Sequence, residues 1–289
     1  IRLYQFAWCF ESIRVGFMRG RLHEILVFSY TSLGHSRLMK PEVSSAIILH
    51  HTDYGEADRI VTFLTPDHGR LKGFARAARK SRKRFGAALE PLAEVQIHWV
   101  SRSSGELVSL RDAELIKLRA GLRRDLETLT LAGYGCELTE VLFDDSGAGV
   151  EVFQLLQAFL DHLDSEGFSI EARLLLEVRM LWISGYMPHL QHCGDCSGPL
   201  PAGPVSFSAI HNGSLCAECD AGRADFQVDR MTLGTFGRIL ETPLTRFSGF
   251  RLSRQSRQEG QLLLNDALRC HLHRPLKSLE MLERFSPEE

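Results

Sequence analysis

No uninterrupted apolar stretch in this chain reaches the roughly 20 residues that a membrane-spanning helix needs, so a soluble protein with no membrane partner is expected. The G-x-x-x-x-G-K-S/T phosphate loop is missing, which argues against an ATP-driven helicase or ATPase. There is no H-E-x-x-H helix of the common zinc proteases and no G-x-S-x-G nucleophile elbow. A zinc deaminase would place H-x-E upstream of P-C-x-x-C; here His192 directly precedes Cys193 and no suitable H-x-E exists. Net charge is nearly absent too: the formal value of −2 does not by itself suggest a nucleic-acid partner. Internal repeats and low-complexity segments are also lacking.

What is present suffices for real cores. The chain has 289 residues, 44% hydrophobic and 24% charged, which predicts two or three domains. Seven cysteines include Cys193-x-x-Cys196 and Cys216-x-x-Cys219, with 19 residues between the pairs. That spacing is expected of a four-thiolate Zn2+ site, each pair on a tight turn supplying half of a tetrahedron. Gly194, Asp195 and Ser197-Gly198-Pro199 supply the first turn, and Asn212-Gly213 reads as a hairpin turn before the second. Four thiolates leave no open position, so such a site holds structure and does not activate water. The alternative is two disulfides in a secreted protein, against which the composition favours the cytosol. Of the other cysteines, Cys9, Cys136 and Cys270, Cys136 reads as a small buried hydrophobe.

The chain opens on Ile1, and residues 1–38 carry Arg2, Arg14, Arg19, Arg21 and Arg37 against Glu11 and Glu24. The apolar patch Tyr4–Phe10 is short and poorly flanked for a signal peptide. Residues 1–38 are expected to be an extension outside the fold, with Met39 the natural start; an amphipathic targeting or partner segment is the alternative.

Five short strands are predicted over 44–118: Ser45–His51, Arg59–Thr65, Arg70–Ala75, Ala93–Val100 and Leu107–Leu118. Five strands in so few residues suit a small closed barrel such as an OB-fold. Between strands three and four, Arg70, Lys72, Arg76, Arg79, Lys80, Arg82, Lys83 and Arg84 make eight cations in 15 residues with no acid among them. Self-repulsion predicts a projecting loop. Such a loop on a barrel suits the phosphates of single-stranded nucleic acid, and a solvated surface is the plainer alternative. Of the flanking aromatics, Phe74 reads as core, and Phe85, before Gly86, as the better base-stacking candidate. His50, His51 and Asp53 could suggest a metal or acid–base cluster, but adjacent strand residues face opposite ways.

From about Arg119 the periodicity becomes helical. Helices are expected over 122–141, Val150–Leu163, Ile170–Ser184, Leu233–Leu240 and Gln255–Leu272. The third, nearly apolar all round from Leu174 to Trp182, should be the centre of a bundle. Arg123, Arg124, Arg173 and Arg179 could rim a groove for an acidic peptide or be ordinary surface or ion-paired arginines. The fold class expected is α+β multidomain: residues 39–118 an OB-fold DNA-binding domain, 119–190 and 223–289 two parts of one helical domain, and 191–222 an inserted four-Cys zinc module.

Several segments, in this order, resemble the RecO family of bacterial recombination-mediator proteins. They are Glu56-Ala57-Asp58-Arg59-Ile60-Val61 with Phe63-Leu64-Thr65; Gly69-Arg70-Leu71; Lys72-Gly73-Phe74-Ala75-Arg76; Arg79–Arg84 with Gly86-Ala87-Ala88-Leu89-Glu90-Pro91; the two Cys pairs; and Arg274-Pro275-Leu276-Lys277-Ser278. The likeness runs from about Met39 to Phe285. It implies binding of single- and double-stranded DNA, annealing of complementary strands, and work with RecR. It also implies contact with the acidic C-terminal tail of single-stranded-DNA-binding protein and help in loading RecA. The implied location is the bacterial cytoplasm, at the nucleoid. The resemblance gives the DNA role to the eight cations and the Zn2+ role to the four cysteines, and implies no catalysis. Two other classes stay open: a zinc-containing nuclease or other nucleic-acid enzyme, and a protein-interaction adaptor with an incidental basic loop.

Overall fold

The computed structural model describes residues 41–101, 107–143 and 149–285, so the expectations for 1–38, including Cys9 and the start at Met39, lie outside the described residues. Strands β1 (Pro41–Tyr54), β2 (Asp58–Thr65), β3 (Gly69–Ala75), β4 (Glu94–Val100) and β5 (Leu107–Lys117) close into a barrel. Its order is β1-β2-β3-β5-β4, β3 pairing with β5 in parallel and β4 returning to β1. This is the OB-like barrel expected.

The run Ala46-Ile47-Ile48-Leu49 does not alternate because both faces of β1 are covered. Ala46 and Ile48 join Val61, Phe63, Val95, Ile97 and Trp99 inside the barrel. Ile47 and Leu49 face the helices, in one core with Leu64, Leu131 and Leu156. The β1–β2 register shifts between Ile48 and His50, leaving Leu49 without a partner on β2.

The helical part contains α1 (Leu126–Leu142), α2 (Val150–Glu166) and α3 (Ile170–Ile183). Asp125 and Ser169 cap α1 and α3, their side chains accepting from the amides of Thr128 and Ala172. Every residue of α3 from Ala172 to Leu181 is buried, as expected of the bundle centre, whereas Trp182 is 56% exposed. Arg173 and Arg179 are buried with it: Arg173 pairs with Glu177 at 2.8 Å, and Arg179 stacks on Phe247 and Phe250. Neither forms a surface rim.

Three short strands follow, β6 (Val205–Ser208), β7 (Gly213–Leu215) and β8 (Phe226–Val228), in a sheet of order β7-β6-β8, with α4 (Ala217–Asp220) between the last two. Their apolar residues, among them Phe207, Leu215 and Val228, belong to the helical core. Then come α5 (Arg230–Leu240), α6 (Arg254–His271) and α7 (Lys277–Phe285).

Helix α7 was not foreseen from sequence. Glu137 on α1 fastens its start: the carboxylate accepts from the Lys277 and Ser278 amides at 3.2 and 3.0 Å and from the Ser278 hydroxyl at 2.6 Å, and it pairs with Arg274 at 2.7 Å. Burial works to raise the Glu137 carboxyl, but the Ser278, Arg274 and Lys277 donors outweigh it and hold it below its usual value. One turn on, Glu140 meets His50 of β1 and Arg70 of β3. It too is lowered, first by the His50 hydrogen bond. The two carboxylates thus tie α1 to the C-terminal segment and to the barrel.

A lowered folded-state value means that Glu137 contributes its full stability above the usual carboxyl value of 4.5 and loses it as pH falls through the lower folded value. Glu137→Gln is therefore expected to narrow the stability gap from wild type as pH drops below that point. Urea unfolding over an acid pH series measures this, and a pH-independent gap would contradict it.

Candidate nucleic-acid interface and metal centre

The basic segment does not project. After β3, Ala77 takes a left-handed backbone and its amide donates to Asp58 at 2.7 Å. A 3-10 turn over Ala78–Lys80 follows, and the Arg79 amide reaches the Ala57 carbonyl at 3.0 Å. Three apolar residues then turn inward: Phe85, Ala88 and Leu89 lie in the barrel core, Phe85 only 3% exposed. The Ala113 amide of β5 closes on the Arg84 carbonyl at 2.9 Å. The charge run is a coil seated on the barrel, its cations outward and its apolar residues inward. Phe85, the expected stacking residue, is a core residue with the Arg84 guanidinium over its ring at 5.0 Å. Phe74, expected in the core, lies half-buried against exposed Tyr54, ring centroids 5.9 Å apart. Alternation along β3 could have shown this, since Gly73 and Ala75 take the buried positions.

The eight cations divide into groups. Arg70 lies in the seam, donating to the Glu140 carbonyl at 2.6 Å with its side chain 13% exposed. Arg79 is 3.5 Å from Asp53 and donates to the Glu56 carbonyl. Arg84 donates to the Arg76 carbonyl at 2.7 Å and to the Ser81 hydroxyl. Lys72 stands on β3, with Arg76, Lys80, Arg82 and Lys83 exposed on the coil. Arg79 and Arg82 also line a shallow concavity of about 460 Å³ with Ser81, Gly86 and Glu90. His50 and His51 do not converge: one meets Glu140, and the other's Nδ1 lies 3.0 Å from the Leu89 carbonyl.

The four cysteines do converge. Their sulfurs all lie within 4.8 Å of one another, and Cys196 and Cys216 are 3.7 Å apart. Metal–sulfur bonds of about 2.3 Å in a tetrahedron set sulfur–sulfur distances near 3.8 Å, so the set fits a tetrahedral divalent ion. A disulfide would bring sulfurs to about 2.05 Å, and all four are free thiols. Gly194 makes the fit possible, because a Cβ there would lie 2.7 Å from the Asn212 carbonyl oxygen. Asn212 and Gly213 lie at the turn of a hairpin, as expected, β6 pairing with β7 antiparallel across residues 209–212. Asn212, left-handed, ends a 3-10 turn over Ala209–His211, and Gly213 begins β7. Arg223, not singled out from sequence, joins the two turns through Asp195 at 2.6 Å and the Cys219 carbonyl. Burial works to raise the Cys193 thiol, yet the amides of Cys196, Cys216 and Asp195 bring it down to about 6. Hydrogen bonding with Cys216 and Cys196 leads in pushing Cys219 up to about 12. Away from the cluster, burial pushes Cys136 up to about 12, as suits an inert core thiol.

Two family models divide the chain, the recombination protein O N-terminal model matching residues 39–119 and the C-terminal model matching 123–280. The chain belongs to the RecO family. It is 50% identical over 243 residues to the DNA repair protein RecO of Syntrophotalea carbinolica, covering 84% of this chain and 94% of that one. It is 37% identical over 250 residues to RecO of Geobacter metallireducens, covering 86% of this chain and all of the relative. No described helix is long and apolar enough to cross a membrane.

Two outcomes follow from this geometry. Phe85→Ala is expected to cost about 3–5 kcal/mol in urea unfolding, as for a buried aromatic; a change within about 0.5 kcal/mol would place the ring on the surface. Cys196→Ser is expected to lower stability and abolish stoichiometric retention of a divalent metal. Full metal content in that variant, read by elemental analysis, would refute the four-ligand assignment.

Proposed function

We propose that this RecO-family protein is a non-catalytic DNA-binding recombination mediator that acts in repair. It holds single- and double-stranded DNA by their phosphates, anneals complementary strands, and works with RecR. Through the acidic tail of single-stranded-DNA-binding protein it reaches covered DNA, where it helps load RecA. The observation that carries the reading is a set of cations on a braced surface. Lys72, Arg76, Lys80, Arg82 and Lys83 make no side-chain ion pair or hydrogen bond with any described residue, and the coil beneath them is fixed by core residues. Such cations are available to phosphate. Arg79 and Arg84, held by backbone carbonyls, shape the coil, and Arg70 serves the seam.

The chemistry suits annealing. Phosphate contacts position a strand without using its pairing edges, so the bases stay free for a complementary strand. Neutralised phosphates also repel a second strand less. The cysteine set would hold a structural Zn2+, whose role is to fix the two turns; a closed tetrahedron offers no position for substrate. Names of the relatives as DNA repair proteins support the setting, the bacterial cytoplasm.

Fluorescence anisotropy with a labelled oligonucleotide, at about 50 and 200 mM salt without nucleotide, tests the reading. Five phosphate contacts predict a loss of about 100-fold in affinity across that range, with the strand intact. Changing Lys80, Arg82 and Lys83 together to Ala is expected to shrink the salt slope for single strands by about 2. Absence of binding at low salt, or magnesium-dependent loss of the strand, would overturn the proposal.

A further inference from the structure

Tyr54 is 58% exposed at the end of β1, and its hydroxyl has no hydrogen-bond partner among the described residues. Its ring meets that of Phe74 edge to face, at 78°. The register explains how they meet across an intervening strand. Ile60 of β2 pairs with Thr52 on one side and Phe74 on the other, so the two rings lean together over half-buried Ile60. Together the two rings and Ile60 leave an apolar patch on the outside of the barrel with one strongly exposed ring. Among the described residues, α1 engages the barrel at His50 and Arg70, and the ring contact of Tyr54 is with Phe74.

The surroundings indicate an occupant for this patch. Lys72 lies two residues before Phe74 on the same face of β3, about 7 Å along the strand, and exposed Arg76 lies two residues after it. Arg79 binds the Glu56 carbonyl, which fastens the basic coil to the same β1–β2 turn that carries Tyr54. Nearby acids are largely engaged: Asp53 pairs with Arg59 and Arg79, and Asp58 accepts from the Ala77 amide, while Glu56 stays exposed. Exposed aromatic rings bordered by unpaired cations are the arrangement that takes a base on its π-face and the adjoining phosphates on the cations.

We propose that Tyr54 and Phe74 form a base-stacking platform for single-stranded nucleic acid on the outer face of the barrel. This rests on the DNA-binding reading above and adds a contact that duplex DNA, with its bases stacked inside, cannot make. The platform therefore favours single over double strands.

The test uses the full chain with labelled oligothymidine, an abasic oligomer of equal length and charge, and a duplex. Tyr54→Ala is expected to weaken oligothymidine binding about 5- to 100-fold, leaving the abasic and duplex affinities and the salt slope unchanged. Tyr54→Trp should restore oligothymidine affinity, with emission quenched by oligothymidine and not by the abasic strand. Equal oligothymidine affinity in wild type and Tyr54→Ala, with the salt slope intact, would overturn the platform and leave the phosphate-binding reading standing. If that variant instead changes only self-association in sedimentation, the face is a protein contact and the proposal fails. Should wild type bind no strand at low salt, both readings fall together.

Discussion

Arg119 lies where the last barrel strand passes to the helices, and its guanidinium has no exposed surface. It donates to Glu94 of β4 at 2.5 Å, to Asp161 of α2 at 2.6 Å and to the Leu92 carbonyl at 3.1 Å. Gln157 of α2 adds a bond to the other oxygen of Glu94. A buried cation without such partners would cost several kcal/mol, so the packing of barrel on helices is fixed wherever these partners are satisfied together. The left-handed backbone of Arg119 is a strained position that the network holds in place. The same guanidinium reaches Leu92, at the end of the basic coil, so the seating of that coil and the joint between barrel and helices depend on one group.

Strand and helix positions were legible because burial leaves a period in the sequence. Four of the five barrel strands end within one residue of their expected bounds, and β1 is longer at both ends. The coil was misread because eight like charges masked Phe85, Ala88 and Leu89, whose spacing of three and one marks a face turned inward. Repulsion among cations governs their side chains and does not prevent the backbone beneath them from packing. Buried arginines of α3 were illegible for a related reason: Arg173 needs Glu177 and Asn265, the latter distant in sequence, to be tolerated inside. Helix α7 was missed because its anchor, Glu137, lies far back on α1.

The cysteine cluster was legible in the spacing of its ligands, whereas its coupling to the rest of the molecule was not. Cys193 and the strand residues Val205, Phe207 and Leu215 share one apolar core with α3 and α6. The Ala209 amide also donates to Asp266 of α6 at 2.9 Å. Anything that loosens the cysteine turns is therefore felt in the bundle.

The clamp of Glu137 on the start of α7 has a consequence for the order in which the chain is made. On the ribosome, α1 emerges long before residues 274–278, and its carboxylate waits in water through the synthesis of five further helices, α2 to α6. The α7 segment then closes onto a surface formed by helices made before it, so this part of the helical fold is completed only after residues 274–285 have been made. A ribosome that stops short of Arg274 releases a bundle with the apolar seat of Leu276 and Leu282 uncovered, the kind of surface by which quality-control machinery distinguishes an unfinished protein from a finished one.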